Sequence, residues 1–168
     1  KEKYLINLME GVEDIPETVL SEGIDFCWET FPEYLNALES SSRIMDIGTQ
    51  VPHSALRFFV MGDDGANHLC KPNEEQISRM KSILEEALCA GALGISTSRT
   101  TKHKSADGNL VPSLNADDKE LAGIAEALKN TKKGLLQCNS DMGPGERELL
   151  IQAAKHSGQP LSVLLIQY

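Results

Sequence analysis

The chain has 168 residues, 40% hydrophobic and 24% charged, which suits an ordinary globular protein with one sizeable core and excludes a disordered or fibrous one. Its formal net charge of -9 gives a surface that repels phosphate backbones, so nucleic acid is a poor partner class. No run approaches the ~18 apolar residues of a membrane span, and the amphipathic opening KEKYLINLME holds no signal-peptide core, so the expectation is a cytoplasmic protein without membrane partners.

Residues 1–42 read as a helical excursion: a helical start, Pro16 and Gly23, then the aromatic-rich helix FPEYLNALES over 31–40. RIMDIGTQV, 43–51, is bounded by Ser and Pro and is predicted as a strand. The apolar phrase ALRFFVMG follows a Pro-His-Ser turn. Residues 73–90 form the clearest helix, with Asn73 as cap, Gln76 in capping-box position, and Ile77, Met80, Leu84, Ala87 and Leu88 on its buried stripe. Gly91 ends it, and LGISTS, 93–98, is predicted as the next strand. A polar loop with Asp-Gly and Pro runs over 99–115. A helix over 117–130 follows, with Asn115 as its expected cap and Leu121, Ile124 and Leu128 on one face. Strand 134–140, turn 141–145, helix 146–157 stopped by Gly158 and Pro160, and strand 161–167 complete the chain.

The order from residue 43 is β–α–β–α–β–α–β, and the strands read as apolar runs of the kind a sheet covered on both faces requires. The predicted class is α/β: a partial parallel β/α (TIM-type) barrel of about four strands with crossover helices. Residues 43–168 form one structural domain, with 1–42 packed on it. The missing initial Met and the stop inside an apolar run are read as the cut ends of a longer protein. Cys27, Cys70, Cys89 and Cys138 form no CxxC pair and are expected to be free buried thiols.

In parallel β/α folds function gathers at the carboxyl ends of strands. Four polar clusters stand there: Thr49, Gln50 and His53; Ser96 to Arg99 with Lys102 and His103 beyond; Asn139, Ser140 and Asp141; Gln167 and Tyr168. Each also has a structural reading. His53 suits a capping or hydrogen-bonded turn, Asp141 a cap on the Gly-Pro-Gly turn, Lys102 and His103 a solvated loop. Arg99 suits either a carboxylate-binding fork or a salt bridge that tethers the following loop. No HxH, HExxH or paired-Cys spacing is present, so no metal ligands are predicted in the chain. GISTS lacks the second glycine of a GxSxG elbow, and there is no GxGxxG or P-loop.

The phrases LMEGVEDIP (8–16), CWETFPEYLNALE (27–39), TQVPHSALRFFVMGDDGA (49–66), EALCAGALGISTSRTTKH (86–103) and DGNLVPS (107–113) resemble the central part of N-acyl-D-amino-acid deacylases, D-aminoacylases of the amidohydrolase superfamily. The resemblance implies a metal-dependent β/α barrel with a small β-domain, and hydrolysis of the amide of an N-acyl-D-amino acid. It places the family's His-x-His metal motif, its cysteine-type ligand and its Ser-Asp-Gly catalytic aspartate outside these residues. It also sets GLLQCNSD and PLSVLLIQY where ligand histidines are expected; neither has one, and Gln137 is the nearest equivalent. Zinc is thereby implied only for a full-length parent.

The substrate-pocket residues predicted on this basis are His53, Ser98 and Arg99. Arg99 would hold the substrate carboxylate, and His53 would orient a neighbour or the scissile carbonyl. The parent would act on a small N-acyl amino acid, the chain alone would be inactive, and its unpaired sheet edges would promote self-association. The rival readings are a non-catalytic α/β binding or scaffold module and a catalytically dead homologue.

Overall fold

The computed structural model describes residues 2–164. Three helices come first: α1 (Glu2–Glu13), α2 (Glu17–Gly23) and α3 (Phe31–Ser40). A capping box starts α3, in which Thr30 Oγ1 accepts from Glu33 N and the Glu33 carboxylate accepts from Thr30 N. Next come β1 (Val51–Pro52), α4 (His53–Met61), the single turn α5 (Asp63–Ala66), α6 (Glu74–Ala90) and β2 (Gly94–Arg99). The chain continues as α7 (Asp118–Thr131), β3 (Leu135–Ser140), α8 (Glu146–Ser157) and β4 (Leu161–Leu164).

The four strands form one sheet in the order β1-β2-β3-β4, and every pair is parallel. Each strand lies beside its predecessor, with no reversal of direction along the sheet. Helix α7 packs between α6 and α8, so the crossover helices share one face. Sequential parallel strands joined by crossover helices are the arrangement of an α/β fold of repeating strand–helix units. Among the described residues no helix is long and apolar enough to cross a membrane.

The core lies between that helical layer and the sheet. Met80, Leu84, Ala87 and Leu88 of α6 meet Leu121, Ile124, Ala125 and Leu128 of α7 over Ile95 and Leu136 of the strands. These are the apolar positions that helical spacing selects. Burying each large side chain contributes about 1.5–3 kcal/mol. The capping box of α6 forms as predicted, with Asn73 Oδ1 accepting from Gln76 N and Asn73 N donating to Gln76 Oε1, both at 2.9 Å. Helix α7 is capped by Asp117, whose Oδ1 accepts from Glu120 N at 3.1 Å. Asn115 does not serve: Ala116 N turns back to Ser113 O, and the Asn115 amide is drawn to His68 Nδ1 at 2.8 Å.

Four expectations change. The strand predicted over 43–51 shrinks to Val51–Pro52, and Ile44, Met45 and Ile47 are exposed. A strand needs a ladder partner, and its neighbour β2 starts only at Gly94, after the helix that ends at Ala90; Leu93 N to Thr49 O, 2.8 Å, is the last link. The Pro-His-Ser turn gives way to a helix, α4, that begins at His53 itself and carries ALRFFVM, with Gly62 as its C-cap. The sheet is apolar on one face only: Ile95, Thr97, Leu136 and Cys138 are buried, whereas Ser96, Ser98 and Asn139 are half-buried and Gln137 is exposed. All four cysteines are free, but only Cys138 is buried, and Cys27 and Cys89 are exposed. For β4, the expected residues 165–167 lie outside the described residues.

Two glycines set close approaches. A Cβ on Gly11 of α1 would lie 2.2 Å from the backbone of Ser105, where Ala106 N donates to Asn7 O at 3.0 Å, so α1 seats directly on the loop after β2. Gly94 opens β2 at φ +148, and a Cβ there would meet Leu135 O at 2.1 Å.

Candidate functional site

Side chains alternate along a strand, so β2 sends Ser96 and Ser98 to one face and Ile95, Thr97 and Arg99 to the other. In the parallel ladder Ser96 stands beside Gln137 and Ser98 beside Asn139. These four polar groups, with His103 from the following loop, line a cavity of about 250 Å³ at the carboxyl end of the sheet, and Leu8 and Met9 of α1 form its apolar side. A concave site with an apolar wall and a few convergent polar groups is the usual form of a small-molecule pocket.

Within it, Ser98 Oγ lies 2.7 Å from His103 Nδ1. The Ser98 backbone is clamped by Ser113, whose hydroxyl accepts from Ser98 N at 3.3 Å and donates to Ser98 O at 2.8 Å. Ser54 Oγ sits 3.0 Å from the same hydroxyl. Gln50 Nε2 donates to Gln137 Oε1 at 2.9 Å, which leaves the Gln137 amide hydrogens for other acceptors.

Behind the sheet runs a buried polar chain. His53 Nδ1 is 2.9 Å from Thr97 Oγ1, and His53 Nε2 is 2.9 Å from Glu120 Oε1. Glu120 Oε2 accepts from Arg57 Nη1, and Arg57 Nη2 donates to Cys70 O at 2.6 Å. His53, Arg57 and Glu120 are all 1% exposed or less. An ionised Glu120 only accepts, so His53 donates from Nε2; in the neutral ring Nδ1 accepts from Thr97. Burial pushes the Glu120 carboxyl up, but the His53 hydrogen bond and charge, with the Arg57 charge, outweigh it and leave the group below the ordinary carboxylate range.

Of the three predicted pocket residues, Ser98 lines the cavity directly. His53 borders it but is fully buried, with both ring nitrogens engaged. Arg99 lies on the helix-covered face: its fork holds the Glu146 carboxylate through Nε and Nη2, and Nη1 donates to Ala116 O at 2.7 Å. Its salt-bridge partner is thus the first residue of α8 rather than a group in the following loop, whose far end is held by the Ala116 hydrogen bond. Asp141 accepts from Thr100 Oγ1 at 2.5 Å and from Thr101 N and Oγ1 at 2.9 Å, tying the end of β2 to that of β3. Those bonds, the Thr100 hydroxyl foremost, hold its carboxyl below the usual range. Gln167 and Tyr168 lie outside the described residues.

His103, read from sequence as solvated, is half-buried against Ser98. Arg57 and Glu120 were missed altogether. Glu120 carried a signal: it stands four residues before Ile124, on the buried stripe of α7.

The cavity is lined by hydroxyls, carboxamides, the Glu13 carboxylate and the His53 and His103 imidazoles, already engaged with Thr97, Glu120 and Ser98, a set that does not fit zinc. Among the described residues no three His, Cys, Asp or Glu side chains converge on one point.

A parallel sheet of sequential strand–helix units, with a polar cavity at its carboxyl edge, defines the class as an α/β protein of β/α-repeat type. Over part of its length it is similar to several curated proteins, two of them named for an acylase or deacylase activity. It is 37% identical over 82 residues to the D-aminoacylase of Alcaligenes xylosoxydans xylosoxydans, covering 49% of this chain and 16% of that protein. The N-acyl-D-aspartate deacylase of the same organism is 35% identical over 72 residues, 43% of this chain and 14% of that one. An uncharacterized protein of Mycobacterium tuberculosis is 36% identical over 93 residues, 54% of this chain and 15% of the relative. The chain thus spans only a small part of the length of these relatives. No family model and no solved structure matches it.

Proposed function

We propose that these residues work as a segment of an amidohydrolase that cleaves the amide of N-acyl-D-amino acids, supplying part of a β/α barrel wall and one side of the substrate pocket. The observation that carries the reading is the cavity at the carboxyl ends of β2 and β3, found in a chain similar to two proteins named as deacylases of this kind. The apolar side formed by Leu8 and Met9 suits an acyl chain, and Ser98 and Asn139 suit a carbonyl. Water or a protein nucleophile then attacks that carbonyl with a base in reach.

In this reading Ser98 touches the substrate. His53 acts one layer behind, fixing Thr97 and through it the strand. Arg99 holds Glu146 and so anchors the start of α8 under the pocket. Free, unpaired cysteines support a reducing, cytoplasmic setting. The remaining walls of the pocket come from elsewhere in the full-length protein, and the chain alone is inactive on these substrates.

The test is an assay of free amino acid released from paired N-acetyl-D- and N-acetyl-L-amino acids, using the protein encoded by the whole reading frame. D-selective release is expected. No release from any D-substrate, or a preference for the L-series, would overturn the reading.

A further inference from the structure

We propose that α1 selects the acyl group: its apolar face is a wall for an unbranched chain of butanoyl to hexanoyl length, and Gly11 fixes the height of that wall over the sheet. The inference rests on the acyl-substrate reading above and deepens it, by naming the acyl class and the residues that choose it.

The cavity has two unlike sides. Ser98 and Asn139 line it from the sheet, whereas Leu8, Met9 and Val12 line it from α1. Val12 stands four residues after Leu8 and three after Met9, so the three side chains are neighbours on the helix surface and form one apolar strip. From Leu8 to Val12 the strip runs about 6 Å along the helix axis, more than the methyl of an acetyl group covers. Glu13 is the next lining residue and is exposed. Its carboxylate ends the strip, because a longer chain would have to displace water from a charge. An acyl amide therefore rests its carbonyl on the polar side and its alkyl chain on α1, and the strip measures the chain.

The helix is held at two points. Tyr4 stacks on Phe58 of α4, with ring centroids 4.1 Å apart. Farther along, a Cβ on Gly11 would lie within 2.4 Å of backbone atoms of Lys104, Ser105 and Ala106. That close approach lets Ala106 N donate to Asn7 O at 3.0 Å. The loop beneath is braced by Ser105 N to Asn109 O at 2.8 Å and by the Lys104–Leu110 bridge. It runs on into Val111, which is buried and lines the same cavity. Backbone cannot yield as a flexible side chain does, so any side chain at position 11 lifts α1 from the loop and the wall recedes. Gly11 is thus a positioning residue that touches no substrate.

The test is kcat/KM of the full-length protein for the N-acetyl, N-butanoyl, N-hexanoyl and N-octanoyl derivatives of paired D- and L-amino acids. Hexanoyl should exceed acetyl by on the order of tenfold or more, as added methylenes do in an apolar pocket. Met9→Ser should remove most of that ratio, which is read within one preparation and so does not depend on the fraction folded. Gly11→Ala should lower it as well, although the new methyl lies outside the lining. Glu13→Leu should extend the strip and improve the octanoyl substrate most. A ratio of one or less in the wild type, or a ratio unmoved by Met9→Ser, would overturn the wall; a ratio unmoved by Gly11→Ala would remove the spacer. Calorimetric titration with hexanoate and acetate needs no turnover and judges the substrate reading separately. Hexanoate should bind more tightly than acetate and lose that advantage in Met9→Ser. That result without D-selective release keeps the wall and removes the D-amino-acid amide. D-selective release with a flat acyl series keeps the amide and removes the wall, as does hexanoate bound no better than acetate.

Discussion

Replacing Glu120 by Gln would leave the Arg57 guanidinium buried without its carboxylate and His53 without an anion to donate to. Breaking a buried pair on one side costs about 3–5 kcal/mol, so Glu120→Gln should lower the urea midpoint sharply. The pH dependence follows from the same carboxyl. Its folded pKa is depressed, so its contribution is complete above the unfolded value of about 4.3 and is lost as pH falls through the lower folded value. Acid titration of Glu120→Gln should lack that part of the loss. Arg99→Lys offers one point charge in place of a three-bond fork and should destabilise by about 1–3 kcal/mol, with KM for N-acyl amino acids unchanged in the folded protein. A raised KM at unchanged melting temperature would return Arg99 to the substrate. Cys138 shows burial at its plainest: desolvation, with the Glu146 charge, pushes its thiol up to about 12. Iodoacetamide at neutral pH should modify Cys27 and Cys89 and spare Cys138 until the chain unfolds. Ser98 was legible because polar residues at a strand end in this fold point to a site. His103 was not, because nothing in TTKHKS shows that the loop folds back onto the strand that precedes it.

At the level of elements, the helices were the most legible part. The stripe of Met80, Leu84 and Leu88 and the Asn73–Gln76 box both appear as helical spacing and capping chemistry require. Leu84→Ala, at a fully buried position, should cost about 2–5 kcal/mol, and Asn73→Ala about 1 kcal/mol, both by equilibrium unfolding. The strands were legible in position but not in face. An apolar run such as LGISTS reads as doubly covered until its alternation is set against a register, and only the ladder shows Ser96 and Ser98 aligned with Gln137 and Asn139. The excess length given to the first strand has the same origin, since pairing ends where the neighbour ends. Glu120 and Arg57 escaped for the opposite reason: charges on a helix are read as solvated, and their burial depends on two helices, α4 and α7, far apart in sequence.

For the whole molecule, the described sheet has two edges, β1 and β4, and a largely polar face with α1 over part of it. An open sheet with free edges exposes unpaired backbone, so the chain by itself should self-associate in a concentration-dependent manner by sedimentation velocity. A sharp monomer at all concentrations would favour an independent module. The central claim is that the cavity at the carboxyl edge is where the acyl group sits. Ser96 faces that space on the polar side of the sheet, away from the core. Ser96→Phe should therefore fill the cavity with little effect on folding. The decisive measurement is kcat/KM of the full-length Ser96→Phe protein for N-acetyl-D-amino acids, alongside its melting temperature. The account predicts a fall on the order of a hundredfold, as displaced substrates suffer, with melting nearly unchanged; an unaltered kcat/KM in the folded variant would contradict it.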